Sequence, residues 1–527
     1  MSGAGWEMPY PSRRMPVLAS NVVATSQPLA AQAGLSMLAR GGNALDAALA
    51  TAIALTVVEP TNNGLGSDAF AIVASDSQLH GLNASGRSAA AMTRERMDGH
   101  ERMPAMGWDS VTVPGAVSAW AALSKRFGQL PFDALFEPAI RYARDGFLVS
   151  PVVAEQWALV AGIFGAFDEF SRVFLPHGRA PKAGERFCLP DLARSLERIA
   201  ASEGEDLYRG ELAEALAAHA AECGAALARS DLEEHRADWV DPIAAEFAGV
   251  RVHEIPPNGQ GIAALMALKM LAHTPVLEHE IDSAPWLHLS IEAMKLALAD
   301  VRRLVADPDC MSVSSQDLLG DAYLAERARC IDPRRASDAR PGPLGTGDTV
   351  YLCAADAGGM MVSYIQSNYF SFGSGIVVPG TGISLQNRGS GFVLERGHPN
   401  CVGPRKRPFH TIIPAMASRS GRPEAAFGVM GGPMQAQGHV QMVLRMFGHG
   451  QNPQAAADAP RWQVTDTGSV LVEETLGENV RDELVAMGHG VATAATWTFG
   501  GAQIIQRIEG GYVAASEPRK DGQAVGF

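Results

Sequence analysis

A chain of 527 residues exceeds one small core and implies several domains or one large bipartite core. Apolar residues make up 47% and charged residues 19%, an ordinary globular composition. A formal net charge of -14, with no long basic run, excludes nucleic acid and anionic membrane surfaces as expected partners.

Six cysteines are scattered at 188, 223, 310, 330, 353 and 401 without a CxxC pair, so neither a zinc knuckle nor a thioredoxin-like site is read. They are expected to be reduced structural thiols. Arg13 and Arg14 are not followed by an apolar h-region, and the longest apolar run, Ala44 to Val58, contains Asp46 and is too short to cross a membrane. A cytoplasmic location is the expectation.

In chain order, Asn21 to Ser26 reads as a strand and Pro28 opens a helix to Ala39. Asn43 caps the next helix, 44–57, which is apolar nearly all round and therefore buried. Residues 59–68 form a turn-rich loop before strands at 69–74 and 78–83; the loop lacks the pattern of a nucleotide site. Arg87, after Gly86 in a tight turn, suits either a substrate carboxylate or solvent. Helical periods then dominate: 117–126, 134–144, 150–160, 190–201, 211–220 and 230–235. A turn near 247–249 leads into a strand, and helices follow at 262–272 and about 284–300.

Residues 331–348 are the clearest linker, with Pro333, Pro341, Gly342, Pro343, Gly345 and Gly347 and few apolar groups. Thr349 stands at its end and opens a strand, 350–355; a second strand, 360–367, carries Ser367 and is followed by Asn368 and Tyr369. An exposed linker tolerates a chain break. A threonine freed at its amine would carry its own base, because an α-amino group has a pKa of about 7.7–8.0. The same local pattern also fits a plain strand start. Beyond it strands are expected at 382–387, 426–429, 502–508 and 512–515, with helices at 438–448 and 478–487. Gly431-Gly432, at a strand-to-helix corner, would either expose two N–H groups as an oxyanion hole or only serve a tight turn. The histidines show no metal-ligand spacing and no G-x-S-x-G elbow is present, so neither a metal nor a cofactor is expected.

From about residue 20 onward the chain resembles the γ-glutamyltransferase family of N-terminal-nucleophile hydrolases. The resemblance rests on Gly41-Gly42-Asn43-Ala44 through Ala48, Val113-Pro114-Gly115, Pro138-Ala139-Ile140 through Phe147, and Pro256-Pro257 with Gly259 and Gly261. Val402-Gly403-Pro404 with Lys406-Arg407-Pro408, Gly431-Gly432 and Ala459-Pro460-Arg461 complete it. The family implies an α+β fold, a four-layer αββα sandwich with a helix-rich large-subunit portion. It implies self-cleavage before Thr349, giving a large subunit of 1–348 and a small subunit of 349–527 that stay together as a heterodimer. The pairing of two such units is left open. Thr349 would be the nucleophile, Ser367 its orienting hydroxyl, and Gly431 and Gly432 the oxyanion hole.

The resemblance also marks departures. Ser85 stands where γ-glutamyl-cleaving members carry the carboxylate-binding arginine, and Tyr369 replaces an asparagine. Ser390 and Gly391 replace acidic residues, and His410 and Thr411 replace paired serines. The subgroup with this pattern includes glutathione-hydrolase-like proteins and an oxamate amidohydrolase; cephalosporin acylases lie outside it. A small anionic amide is therefore the expected substrate, met by Arg87, Tyr369, Arg388, His410 and Thr411. A binding protein with an inactive site is the competing class and would remain one uncut chain.

Overall fold

The computed structural model describes residues 13–340, 342 and 347–527. Two seven-stranded sheets, antiparallel throughout, face each other. One runs in the order Val17–Ala19, Gly511–Ala515, Gly501–Ile508, Arg422–Met430, Ala415–Arg419, Val250–Glu254, Ile243–Phe247. The other runs Gln523–Gly526, Val22–Thr25, Asp348–Ala355, Met361–Tyr369, Asp68–Ser75, Gln78–Asn83, Asp238–Val240.

Side-chain alternation along the Asp348–Ala355 strand explains the layering. Val350, Leu352 and Ala354 join an outer core with the helices Pro28–Ala39 and Ala44–Val58. Tyr351, Cys353 and Ala355 point the other way, into a cluster between the sheets with Phe70, Ile365, Met416 and Ile505. The helices Gly261–Leu271, Ala284–Leu304 and Met434–Val443 cover the outer face of the first sheet. The result is the expected αββα sandwich. Every residue of Ala44–Val58 is buried, as its uniform apolar sequence implies. Asn43 and Asp46 start that helix through a reciprocal capping box.

Several elements differ from expectation. The helix expected at 438–448 begins at Met434 and closes in a wide turn at Leu444–Gly448. Gly438 belongs inside it, because a Cβ there would lie 2.7 Å from Val429 on the sheet beneath. The strand expected at 382–387 shrinks to Ile383–Ser384. Gln386 and Asn387 instead spend their side chains on Thr112 and on the Ala105 carbonyl. Ala415–Arg419, Gln523–Gly526 and the helices Asp168–Phe174 and Asp321–Ala328 were not foreseen.

The linker divides at residue 340. Pro341, Pro343 and Gly345 lie outside the described residues. The preceding segment is tied down: Ala336 N–H donates to the Met487 carbonyl and Ser337 N–H to Glu292. Beneath it the fold gathers His288, Glu292 and His489, a potential metal-ligand set invisible to sequence spacing. Lys295 supplies the positive charge there, with Nζ 2.9 Å from Glu292 Oε1 and 3.3 Å from His489 Nδ1. His288 also bonds the Asp332 carbonyl, at 2.7 Å.

A buried ionic group braces the first sheet where the strand Gly501–Ile508 begins. Arg461 pairs with Glu517 at 2.5 Å, and Arg519 bridges Glu517 and Glu473. Burial alone would push the Glu517 carboxyl up, but the two guanidiniums outweigh it and hold the group at about 2. The folded value thus lies below the ordinary value of 4.5, so the unfolded chain takes up this proton first. Its stabilisation is full above about pH 4.5 and fades as pH falls toward about 2. Glu517→Gln is expected to flatten this acid limb and to cost about 3–5 kcal/mol at neutral pH by stranding Arg461. Urea midpoints measured across pH check both.

Candidate active site

At the end of the sandwich where the strands Asp348–Ala355 and Arg422–Met430 come together, polar side chains meet. Thr349 is buried, and its Oγ lies 3.2 Å from Ser367 Oγ. Gln435 Nε2 donates to the same Thr349 oxygen at 3.2 Å. Gln435 cannot turn away, because its Oε1 accepts Ile413 N–H at 3.0 Å. Ser367 reaches the site because positions 361, 363, 365 and 367 share one face of their strand. Its Oγ also accepts the Tyr369 N–H.

Gly431 and Gly432 follow directly on the strand Arg422–Met430, at φ 114° and 57°. Their carbonyls accept N–H groups of Met434 and Gln435 and so point into the helix. Gln260 Nε2 bonds the carbonyls of Gly432 and Thr411, at 2.9 and 2.6 Å, and fixes both loops. Gly432 faces the chain just before Thr349: a Cβ there would sit 2.9 Å from the Gly347 nitrogen.

Arg388 lies wholly buried beside this group. Nη1 donates to Thr411 Oγ1 at 2.8 Å and Nη2 to Ser367 Oγ at 3.4 Å. The guanidinium stacks 4.1 Å from the ring of Tyr369, a non-glycine residue held at φ 78°. Burial draws its pKa down to about 10, so it stays charged at neutral pH.

His410 is enclosed as well, with Nε2 3.1 Å from Asp68 Oδ2 and its ring edge-on to Phe70. Ile412 N–H approaches Nδ1, which places the proton on Nε2, toward Asp68. Burial pushes Asp68 up to about 7 and His410 well below its ordinary value. His410 therefore faces Asp68 rather than an open pocket.

The structure thus brings Thr349, Ser367, Tyr369, Arg388, Thr411 and the glycine pair together. Arg87 stands apart from them. Its guanidinium bonds Asp307 at 2.9 Å and the Arg405 carbonyl, in a partly exposed cleft with His235 and Arg407. Ser85 turns instead to Asn83. Gln435 and Gln260 were not singled out from sequence. The available signal was position: Gln260 lies between Gly259 and Gly261, and Gln435 three residues beyond the glycine pair.

The gamma-glutamyltranspeptidase family model matches residues 30–527. The chain belongs to that family. The glutathione hydrolase-like YwrD proenzyme of Bacillus subtilis (strain 168) is 36% identical over 510 residues, covering 95% of this chain and 97% of its own. The oxamate amidohydrolase proenzyme of Klebsiella pneumoniae is 34% identical over 517 residues, with the same coverage. Among solved structures, a cephalosporin acylase from Bacillus halodurans superposes with a TM-score of 0.95 at 46% identity, covering 100% of this chain and 99% of that one. Family membership makes the chain an enzyme of the N-terminal-nucleophile hydrolase fold, and the two curated relatives are both named as proenzymes.

The approach of Gly432 to Gly347 yields a test. Gly432→Ala places a Cβ against the Gly347 nitrogen at a residue with positive φ. It is expected to slow conversion of the full-length chain to fragments by about 10²-fold or more, because the clash displaces the chain beside Thr349. A time course on denaturing gels measures it.

Proposed function

We propose that the chain cleaves itself between Asp348 and Thr349 and that Thr349 then hydrolyses an amide bond of a small anionic substrate through an acyl ester. The observation that carries this reading is the Thr349 hydroxyl, held between Ser367 and Gln435 across from the glycine pair of the other sheet. In the uncut chain the Thr349 oxygen attacks the carbonyl that precedes it, and water opens the resulting ester. The freed α-amine, with an ordinary pKa of about 7.7–8.0, then serves as base at working pH.

In turnover the amine takes the proton from Thr349 Oγ, and the oxygen attacks the substrate carbonyl. The N–H groups of Gly431 and Gly432 receive the developing oxyanion. The amine returns the proton to the leaving nitrogen, and the C–N bond breaks. Water releases the acyl group, or an acceptor amine takes it in a transfer reaction. Ser367 orients Thr349, while Arg388, Tyr369 and Thr411 line the substrate side. Arg87 takes no role in this arrangement.

The two fragments, 1–348 and 349–527, remain associated as a heterodimer, since both contribute strands to each seven-stranded sheet. Among the described residues no helix is long and apolar enough to cross a membrane. The reading places the enzyme in the cytoplasm, which suits six cysteines that are all unpaired.

A second reading, an acylase acting on glutaryl-type side chains of β-lactams, is favoured by the likeness to the Bacillus halodurans enzyme. The buried, charged surroundings of Thr349 favour the small anion.

Intact mass of the denatured protein is expected to give two fragments, the second starting at Thr349. Thr349→Ala is expected to leave one chain of 55.7 kDa without amidase activity. A Thr349→Ala protein that is still cut and active would refute the assignment.

A further inference from the structure

We infer that Arg388 is the carboxylate receptor of this site, and that its position selects amides whose carboxylate lies on the attacked carbonyl or one carbon away. The inference rests on the reading of Thr349 as nucleophile.

Arg388 differs from the other buried arginines. Arg461 pairs with Glu517, Arg445 with Asp282 and Arg407 with Asp238. Among the described residues Arg388 has no carboxylate partner: its two donated bonds go to the hydroxyls of Thr411 and Ser367. Its Nε is buried without a hydrogen-bond partner. The acid nearest in influence, Asp68, gives one oxygen to Gly86 N–H and the other to His410. Burying a guanidinium in this way is costly unless an anion answers it. An anionic ligand beside the nucleophile is the group that would do so.

Reach then sets the length of the ligand. Ser367 Oγ lies 3.2 Å from Thr349 Oγ and 3.4 Å from Arg388 Nη2. The guanidinium is therefore within two hydrogen-bond lengths of the attacking oxygen. A carbonyl carbon in attack position lies about 3–3.5 Å from that oxygen, and a carboxylate meets a guanidinium at about 2.7–2.9 Å. Between them there is room for a direct C–C bond or one methylene. The three-carbon spacer that separates the amide from the α-carboxylate in a γ-glutamyl group would have to fold back to meet both groups. Neither Ser390 nor Gly391 offers an acid to hold an α-amino group.

Access to Arg388 is also written in the packing. The Tyr369 ring covers the guanidinium at 4.1 Å. Gly347 rests on that ring in turn, where a Cβ would lie 2.9 Å from Cδ2. A cut before Thr349 would release Gly347 from this contact with Tyr369.

The test is a length series on the cut wild-type enzyme: oxamate, malonamate, succinamate and glutathione, with ammonia or glutamate release as the readout. kcat/KM is expected to be highest for the first two and to fall about 30-fold or more at succinamate and beyond. Arg388→Gln is expected to lose about 30-fold or more on oxamate, chiefly in KM, with Arg388→Lys recovering some of the loss. Oxalate and malonate, as competitive inhibitors of the cut wild-type enzyme, are expected to bind and to lose affinity in parallel in the variants. Succinamate or glutathione turned over as fast as oxamate, with Thr349→Ala inactive, would overturn the length selection while leaving the nucleophile standing. Turnover of none of the four by cut enzyme would overturn the small-anion reading together with the length selection.

Discussion

The close approach of the two sheets at Gly428 governs everything at the site. A Cβ at 428 would overlap the ring of Tyr351, so glycine is required for the strand Arg422–Met430 to lie this near the strand that begins at Asp348. That spacing lets Gly431 and Gly432, at the end of one sheet, stand over Thr349, at the start of a strand of the other. Gly500 backs Gly431 from behind, and the Phe499 carbonyl is held by Arg461 of the buried ionic group. The position of the glycine pair thus depends on charges far from it in sequence, and packing carries that dependence.

Charge around Thr349 is arranged by burial. Burial pushes Asp68 up to about 7 and His410 well down, so His410 adds no positive charge near neutral pH. Arg388 keeps its proton and sets a fixed positive group beside Thr349 and Ser367. Its stacking on Tyr369 and its bonds to two hydroxyls hold the guanidinium in one orientation. A guanidinium that is rigid and already desolvated would lose little on meeting an anion.

Local chemistry made much of the fold legible in the sequence. Pro28 and the Asn43–Asp46 box mark two helix starts, and a continuous apolar run marks the strand that follows the linker. Short elements escaped because they depend on distant partners: Gln523–Gly526 is a strand only because Val22–Thr25 is there to pair with. The site divides in the same way. Thr349 and Gly431-Gly432 stand at chain punctuation and can be seen. The pairing of Arg87 with Asp307, 220 residues away, cannot, and neither can the clamp of Gln435 between Ile413 and Thr349. Only Gly86 separates Ser85 from Arg87, yet one side chain turns to Asn83 and the other to Asp307.

The strand order carries one more consequence. In the second sheet, strands from before and after residue 349 alternate, so the strands at 348–355 and 361–369 are flanked on both sides by strands drawn from the first half of the chain. The segment 332–340 is moored to Met487 and, through His288, to His489. Neither piece holds either seven-stranded sheet on its own, and each is the other's missing half. While the chain is whole, refolding is a unimolecular search. After a break at 348, the same search needs two molecules to meet, and its rate depends on their concentration. A break there would turn a reversible fold into one held by kinetics: assembled once as a single chain, and not readily recovered after unfolding.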